Sequence, residues 1–459
     1  MSIVDALKNI VGNSGWVDGE ELLGRPVDFW NNNPTLALGL VKPATTEQLA
    51  EILALCNSVG QPVIVEGGRT NLVGATQGDA STLLISLERF SHIGQPDPQA
   101  LNVEVGAGAI IENIQQTCSA AGLRFGLDFG ARGSATIGGA LSTNAGGFQA
   151  LRYGVARDQV LGLEAVLADG SVLSHLTSYS KDNTGYDLKH LFIGSEGTLG
   201  VITRAIVKLH PQPTSSNTAL LAFETYEQVI EALAVLRRSL NGGLSAYELM
   251  WREFFEFNVD ALLPGRAPLS TEYPYYVLCE VEGFLPETDT QTFETLVQEL
   301  FEQSLVVDAV IANSQRQRAE LWRIREEFEA EINAFTAMID FDVSLPLQKI
   351  GAFAEQVRCT LDARFPEHLG LHVLAHLGDG NVHVTTGLPD AQRKEELKDC
   401  IYQIIADNGG SISAEHGVGL AKKEHLHYSR TASELATMKR MKKALDPSNI
   451  LNPGKVITL

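Results

Sequence analysis

Glycines punctuate the first 210 residues, and between them apolar and polar positions fall into short blocks. Residues 45–59, after a Pro43-Ala-Thr-Thr start, carry apolar side chains at helical spacing. The apolar run Pro62-Val-Ile-Val-Glu66 then reads as a strand that ends in a glycine turn. Leu101-Asn-Val-Glu-Val105 predicts a second strand, Gly106-Ala-Gly108 a turn, and 110–121 a helix stopped at Gly122. Strands and helices in alternation predict an α+β or α/β domain. Pro211 and Pro213, followed by Thr-Ser-Ser-Asn, break this pattern as a domain junction does. Beyond them, strand-like 219–223, 275–281 and 306–311 alternate with helix-like 226–240 and 288–304. That is the pattern of an α+β cap with helices on one face of an antiparallel sheet. A helical stretch, 432–445, and the turn-rich Asp446-Pro-Ser-Asn-Ile-Leu-Asn-Pro-Gly-Lys455 form a third, short element.

Composition narrows the class. The chain has 459 residues, of which 44% are hydrophobic and 20% charged, enough for two or three globular domains and unlike a disordered or collagen-like chain. A formal charge of −21 repels nucleic-acid phosphates and anionic lipid, so no nucleic-acid partner is expected. The densest basic stretch, Lys439, Arg440, Lys442 and Lys443, lies on a helical pattern and reads as a solvated face. Cys56, Cys118, Cys279, Cys359 and Cys400 show no CxxC spacing and read as buried thiols in a reducing compartment. The first 15 residues have one lysine, no uninterrupted apolar core and no cleavage signal, and no run of about 18 apolar residues occurs. The expectation is a cytoplasmic chain that does not span a membrane.

Three glycine-rich segments carry candidate chemistry. Glu66-Gly-Gly-Arg-Thr-Asn-Leu-Val-Gly74 follows a strand directly, and such a turn leaves backbone N–H groups free to face an anion. It is neither a Walker loop nor a GxGxxG fingerprint. The segment 130–147 packs six glycines with Ser134, Thr136, Ser142, Thr143 and Asn144, suited to wrapping a flat ligand with polar edges. The third is Gly194-Ser-Glu-Gly-Thr-Leu-Gly200. Each alone is a weak signal; their succession is harder to explain as ordinary loops.

These segments, with Asp169-Gly-Ser-Val-Leu173 and Lys181-Asp-Asn-Thr-Gly-Tyr-Asp-Leu188, resemble the FAD domain of the vanillyl-alcohol oxidase superfamily. More narrowly they resemble its D-lactate and D-2-hydroxyglutarate dehydrogenase branch. The resemblance continues through His376-Leu-Gly-Asp-Gly-Asn-Val-His383, Glu415-His-Gly-Val-Gly419 and the 446–455 motif, and so covers nearly the whole chain. It implies an α+β fold: a two-part FAD-binding domain over 1–212, an α+β cap (substrate) domain with an antiparallel sheet over 213–420, and a small C-terminal helical element, 421–459, returning to the FAD domain. The implied cofactor-binding set is Glu66, Gly67, Gly68, Arg69, Thr70, Asn71 and Gly74, then Ser134, Thr136, Ile137, Gly138, Gly139, Asn144, Gly146 and Gly147, then Glu196, Gly197, Gly200 and Ile202, with Asn452 and Lys455. Relatives with covalent flavin carry a histidine near the first turn. Here stand Arg69, Thr70 and Asn71, so the FAD is expected to be noncovalent.

Residue chemistry points the same way independently. A Gly-Asp-Gly-Asn turn between His376 and His383 folds the stretch into a hairpin with both imidazoles on one side. With Glu415 in a second glycine-bearing turn, two histidines and a carboxylate leave open positions on Zn²⁺, or on Fe²⁺ or Mn²⁺. By the resemblance, His376, His383 and Glu415 match the metal ligands and His416 the catalytic base. The implied reaction is oxidation of a D-2-hydroxy acid to the 2-oxo acid, with hydride passing to flavin N5. The flavin then needs an acceptor, an electron-transfer flavoprotein, a quinone or a cytochrome, and a homodimer is compatible with the resemblance.

The substrate region departs from the hydroxyglutarate-type pattern. Trp322-Arg-Ile-Arg-Glu-Glu-Phe-Glu329 reads as one helix, and Arg325 matches the arginine that clamps a carboxylate; its alternative is an ion pair with Glu329 one turn on. Glu329 stands where that type has threonine, Asp340 where it has lysine, and Thr385 where relatives often have asparagine. Two acids here repel a second carboxylate, which favours a D-lactate-like substrate over a D-2-hydroxyglutarate- or D-malate-like one. Two other readings remain: an FAD-binding subunit of a glycolate-oxidase-like complex, and a non-redox transferase of the alkyl-dihydroxyacetone-phosphate synthase type.

Overall fold

The computed structural model describes residues 2–335 and 337–459, which form two compact units. The first comprises Met1–Gly146, Gly154–Gln212 and Glu415–Leu459, and the second Gly147–Tyr153 and Pro213–Ala414.

In the first unit the strands are β1 (Trp16–Val17), β2 (Gly39–Val41), β3 (Val63–Glu66), β4 (Leu83–Ser86), β5 (Asn102–Gly106), β6 (Leu123–Arg124), β7 (Val160–Val166), β8 (Val172–His175), β9 (Val201–Lys208) and β10 (His210–Pro211). One sheet runs β1-β2-β4-β3, with β2 and β3 parallel to β4, and a second, wholly antiparallel, runs β5-β9-β7-β8. The helix Thr46–Val59 shows why the local pattern folds this way. The Thr45 hydroxyl caps its first turn, Gly60 ends it at φ +67°, and Leu49, Ile52, Leu53 and Cys56 bury one face. The C-terminal motif docks on β3: Val63 N–H donates to Ile450 O and Asn452 N–H to Val63 O, at 2.8 and 2.9 Å.

The second unit is built on seven strands, β11 (Ser215–Phe223), β12 (Leu244–Trp251), β13 (Tyr275–Gly283), β14 (Asp308–Ile311), β15 (Met338–Ser344), β16 (Leu371–His376) and β17 (Asn381–Gly387), in the order β14-β11-β13-β12-β16-β17-β15, every pair antiparallel. Alternation along the strands gives the sheet two unlike faces. Leu221, Val277, Leu249, Val373, Val384 and Phe341 line an apolar face. The helices Tyr226–Ser239 and Lys394–Asp407 cover it, with the Tyr247 hydroxyl donating to Val229 O and Phe341 5.5 Å from Tyr402.

The other face carries Glu280, Glu282, Glu248, His376, His383 and Asp342, and helices cover it too, which corrects the expectation of helices on one face. Phe255 from Arg252–Leu262 stacks on Tyr276 at 3.7 Å, and Arg318 and Trp322 from Gln315–Glu326 bond Glu280 at 2.7 to 2.8 Å. Buried carboxylates require such partners, and a bare sheet face does not supply them.

The expected helix over 322–329 is broken. Gln315–Glu326 ends where Glu327 turns to ψ 116°, and a separate helix, Glu329–Ala334, follows. Lys442, read as solvated, is 3% exposed: its ammonium donates to Thr198 O and Leu451 O and pairs with Asp446. Of the cysteines, Cys56, Cys118 and Cys279 are buried, whereas Cys359 is exposed and Cys400 half-buried.

Candidate active site

In the first unit the three glycine segments and two C-terminal motifs converge. A methyl group on Gly68 would lie 2.1 Å from Ser134 O, and one on Gly67 2.3 Å from the Thr136 hydroxyl, so the first segment lies backbone-to-backbone against the second. Thr136 caps the helix Ile137–Thr143, and Gly138 abuts Ala107 so closely that a Cβ would sit 2.6 Å from it. Gly139 follows in that first turn, and Asn144 caps the helix end with its side chain accepting from Arg157 N–H at 2.9 Å. The third segment joins the second through Gly194 N–H to Leu141 O and Glu196 N–H to Ser142 O. A Cβ on Gly146 would lie 2.9 Å from a Glu415 carboxylate oxygen.

Arg69, Asn144, Glu196 and Asn452 all adopt positive φ, between 40° and 56°. Such strain in non-glycine residues collects at functional sites.

Glu196 holds the segment that bears Glu415 and His416. Its carboxylate accepts from Val418 and Gly419 N–H at 2.7 and 2.9 Å, and its own carbonyl accepts from the Asn452 amide. Burial pushes the Glu196 carboxyl above the ordinary value, against the pull of those two N–H bonds. Lys455 donates to Gln77 O, and burial with the neighbouring Lys423 brings its ammonium down to about 8. Other members of the expected set hold the scaffold: Glu66 pairs with Arg25, Asn71 bonds Thr76 and Ala75 within its turn, Gly200 abuts Phe192, and Ile137 and Ile202 are core side chains. Thr70 and Gly74 are half-buried in the first turn, and Ser134 is exposed. Gly197, at φ +70°, lies against Asn452.

In the second unit the hairpin β16–β17 turns through Gly378, Asp379 and Gly380, with Asp379 and Gly380 N–H donating to His376 O at 3.2 Å. Cross-strand pairing puts His376 opposite Asn381, and His383 opposite both Leu374 and Asp342. Directly paired residues share a face, and the two imidazole centroids are 5.4 Å apart with planes at 80°. Next along the face come His372, Thr385 and Asp340, Thr385 donating to Asp340 at 3.4 Å.

Glu248, fully buried on β12, ties two of the expected residues together. It accepts from Arg325 Nε at 2.8 Å and lies 2.8 Å from His376 Nδ1. Burial pushes its carboxyl up, but His376 and Arg325 outweigh burial and hold it below the ordinary glutamate range. Arg325 is 6% exposed and paired with Glu248, whereas Glu329, past the helix break, is exposed. Phe148, from the short segment Gly147–Tyr153, packs 5.6 Å from His376 and lies under the Arg325 guanidinium at 5.7 Å. That segment is anchored where Arg152 donates to Glu282 O and the Tyr153 hydroxyl to its carboxylate, at 2.8 and 2.9 Å. Sequence reasoning missed Glu248, Phe148 and Asp342. The signal for Glu248 was a lone acid inside the otherwise apolar-rich strand Leu-Ser-Ala-Tyr-Glu-Leu-Met-Trp.

Comparisons with known proteins define the class. The FAD binding domain family matches residues 37–175, and the C-terminal domain of FAD linked oxidases matches 212–456. A D-2-hydroxyglutarate dehydrogenase of Bos taurus, named as mitochondrial, is 36% identical over 98% of this chain and 82% of its own length. A Schizosaccharomyces pombe protein provisionally named a mitochondrial D-lactate dehydrogenase is 36% identical over 99% of this chain and 90% of its own. The solved structure of alkyldihydroxyacetonephosphate synthase superposes with a TM-score of 0.74 over 98% of this chain and 85% of its own, at 18% identity, a likeness of fold alone.

The chain is thus a flavoprotein oxidoreductase with an FAD-binding domain and an α+β cap. It belongs to the FAD-linked oxidase family, in the D-2-hydroxy acid dehydrogenase branch of the vanillyl-alcohol oxidase superfamily, and is an FAD-dependent dehydrogenase. The expected cytoplasmic location is overturned, because these two relatives are named as mitochondrial proteins. Among the described residues no helix is long and apolar enough to cross a membrane.

Proposed function

We propose that this enzyme oxidises a D-2-hydroxy acid to the 2-oxo acid, with a divalent ion, Zn²⁺ first among the choices, held by His376, His383 and Glu415. The observation that carries the reading is the pair of imidazoles on one sheet face, with the His376 ring oriented by the buried Glu248 carboxylate at Nδ1. Chain connectivity supports the third ligand: Ala414 N–H donates to Asp342, which pairs with His383, and the next residues are Glu415 and His416. When bound, the ion lowers the pKa of the substrate hydroxyl and the flavin accepts hydride.

This chain's own residues do the rest. Arg325, held rigid by Glu248, grips the substrate carboxylate, and His416 takes the hydroxyl proton. Asp340, half-buried beside Thr385, faces the substrate tail. A second carboxylate about 4 Å from it would meet roughly 1 to 4 kcal/mol of repulsion, which supports a monocarboxylate, or a tail bearing hydroxyl or amino groups. Glu329 is exposed and is not assigned a part in this repulsion. The acids on this face also disfavour a phosphate-binding transferase site. Turnover would need a separate electron acceptor, an electron-transfer flavoprotein, a quinone or a cytochrome.

The test is anaerobic absorbance of the FAD- and Zn²⁺-loaded protein with D-lactate, D-2-hydroxyglutarate, D-malate and their L-enantiomers. The expected result is loss of the oxidised-flavin band with D-acids only, fastest with D-lactate, and its abolition by a chelator. A flavin that no D-acid reduces overturns the reading.

A further inference from the structure

Asn381 opens β17 directly across from His376 on β16 and Ser344 on β15, so its side chain leaves the sheet on the face that bears His376, His383 and Asp342. It is 4% exposed. Its backbone N–H is satisfied by the Asp379 carboxylate at 3.1 Å, yet neither Oδ1 nor Nδ2 of the side chain has a hydrogen-bond partner among the described residues. Asn57, Gln159, Asn217 and Asn258 each leave one such atom unmet, but Asn381 is the one side-chain amide among the described residues with both ends in that state.

A buried polar group without a partner costs roughly 1 to 3 kcal/mol, and native structures carry few of them. Its chain neighbours Val382 and Val384, on the opposite face, show that apolar side chains build this strand well. Nothing in the hairpin needs the amide either: the turn is closed by Asp379, Gly380 and the His376 carbonyl. The amide is therefore a cost to the ligand-free fold, placed beside both imidazoles.

We propose that Asn381 is a substrate-contact residue whose amide N–H group is satisfied by an oxygen of the bound hydroxy acid. A 2-hydroxy acid offers acceptor oxygens on adjacent carbons, in its carboxylate and its hydroxyl, for Nδ2–H, while the one hydroxyl hydrogen is left for His416. The amide also discriminates by omission, because a ligand that lacks such an acceptor leaves a buried donor unmade. The inference rests on the reading that the His376–His383 face receives the substrate.

The test uses FAD- and Zn²⁺-loaded wild type, Asn381→Leu and Asn381→Ser, measuring melting temperature without substrate, FAD content, and KM and kcat for D-lactate and D-2-hydroxyglutarate. Leucine removes the two unmade groups at similar volume, so Asn381→Leu should melt no lower than wild type and keep its FAD while KM rises at least tenfold for the better substrate. Should the leucine variant not fold, Asn381→Ser, smaller and polar, should show the same rise in KM. Unchanged KM in the folded variant, or a lower melting temperature with unchanged KM, overturns the inference and marks the amide as structural. Loss of FAD with unchanged KM overturns it equally. If wild-type flavin is reduced by no D-acid, the substrate reading itself fails, and this inference with it.

Discussion

Glu248 sits 2.8 Å from His376 Nδ1, and the same carboxylate oxygen accepts from Arg325 Nε at 2.8 Å. One buried acid thus orients an imidazole proposed to hold the ion and a guanidinium proposed to hold the substrate. Glu248→Gln keeps the volume but removes the charge and replaces one carboxylate oxygen with an NH2 donor, so the hold on both partners weakens. Zn²⁺ affinity should fall about 10- to 100-fold, the range for lost partners of ligating histidines, and KM should rise in the Zn²⁺-loaded enzyme. Zn²⁺ titration alongside steady-state kinetics separates the two. Glu280→Gln, which loosens Arg318 and Trp322 instead, should lower stability and leave both quantities unchanged.

Asp340 is the acid of the tail region that stays on the site face, one cross-strand pair along from His383. Asp340→Lys should raise kcat/KM for D-2-hydroxyglutarate relative to D-lactate by at least tenfold, equivalent to about 1.4 kcal/mol. A ratio that does not move would show that Asp340 does not face the tail.

Glu164 on β7 is 3% exposed and accepts from the Arg204 Nε and NH2 groups at 3.0 and 2.7 Å, from Thr203 at 2.8 Å and from Thr46 at 2.8 Å. Burial raises its pKa, but these bonds, Arg204 foremost, outweigh burial and bring it down to about 2. A carboxylate with a lowered native pKa stabilises the fold above its unfolded value near 4.5, and that stabilisation is lost as pH falls from there toward 2. Glu164→Gln should therefore cost about 2 kcal/mol at pH 7, less than the full lowering of the pKa because the Arg204 side chain is 41% exposed, and show a flatter loss of stability between pH 4.5 and 2, read by urea unfolding at each pH.

Gly68 has no room for a methyl group, since its Cβ would meet Ser134 O at 2.1 Å and Ser134 C at 2.9 Å, both backbone atoms. Gly68→Ala must push the first glycine segment off the second. FAD content on purification should drop severalfold, while far-ultraviolet circular dichroism stays that of the wild type.

Local periodicity and turn chemistry are written in short windows of chain, and those were legible. The helix Thr46–Val59 follows from a capping threonine, apolar spacing and a terminal glycine, and the hairpin bearing His376 and His383 from its Gly-Asp-Gly turn between alternating residues. The motifs also pointed to the family that the comparisons show. What the chain alone did not reveal were the partners of buried charges. Glu248 meets residues 77 and 128 positions away, and Lys442, one of four basic residues on a helix, turns inward because Asp446 and two carbonyls wait there. The break after Glu326, which separates Glu329 from Arg325, shows in no hydrophobic period. Short-range steric and hydrogen-bonding preferences fix the elements; only packing the sheet against its helices decides which carboxylate loses its water, and so which cation must answer it.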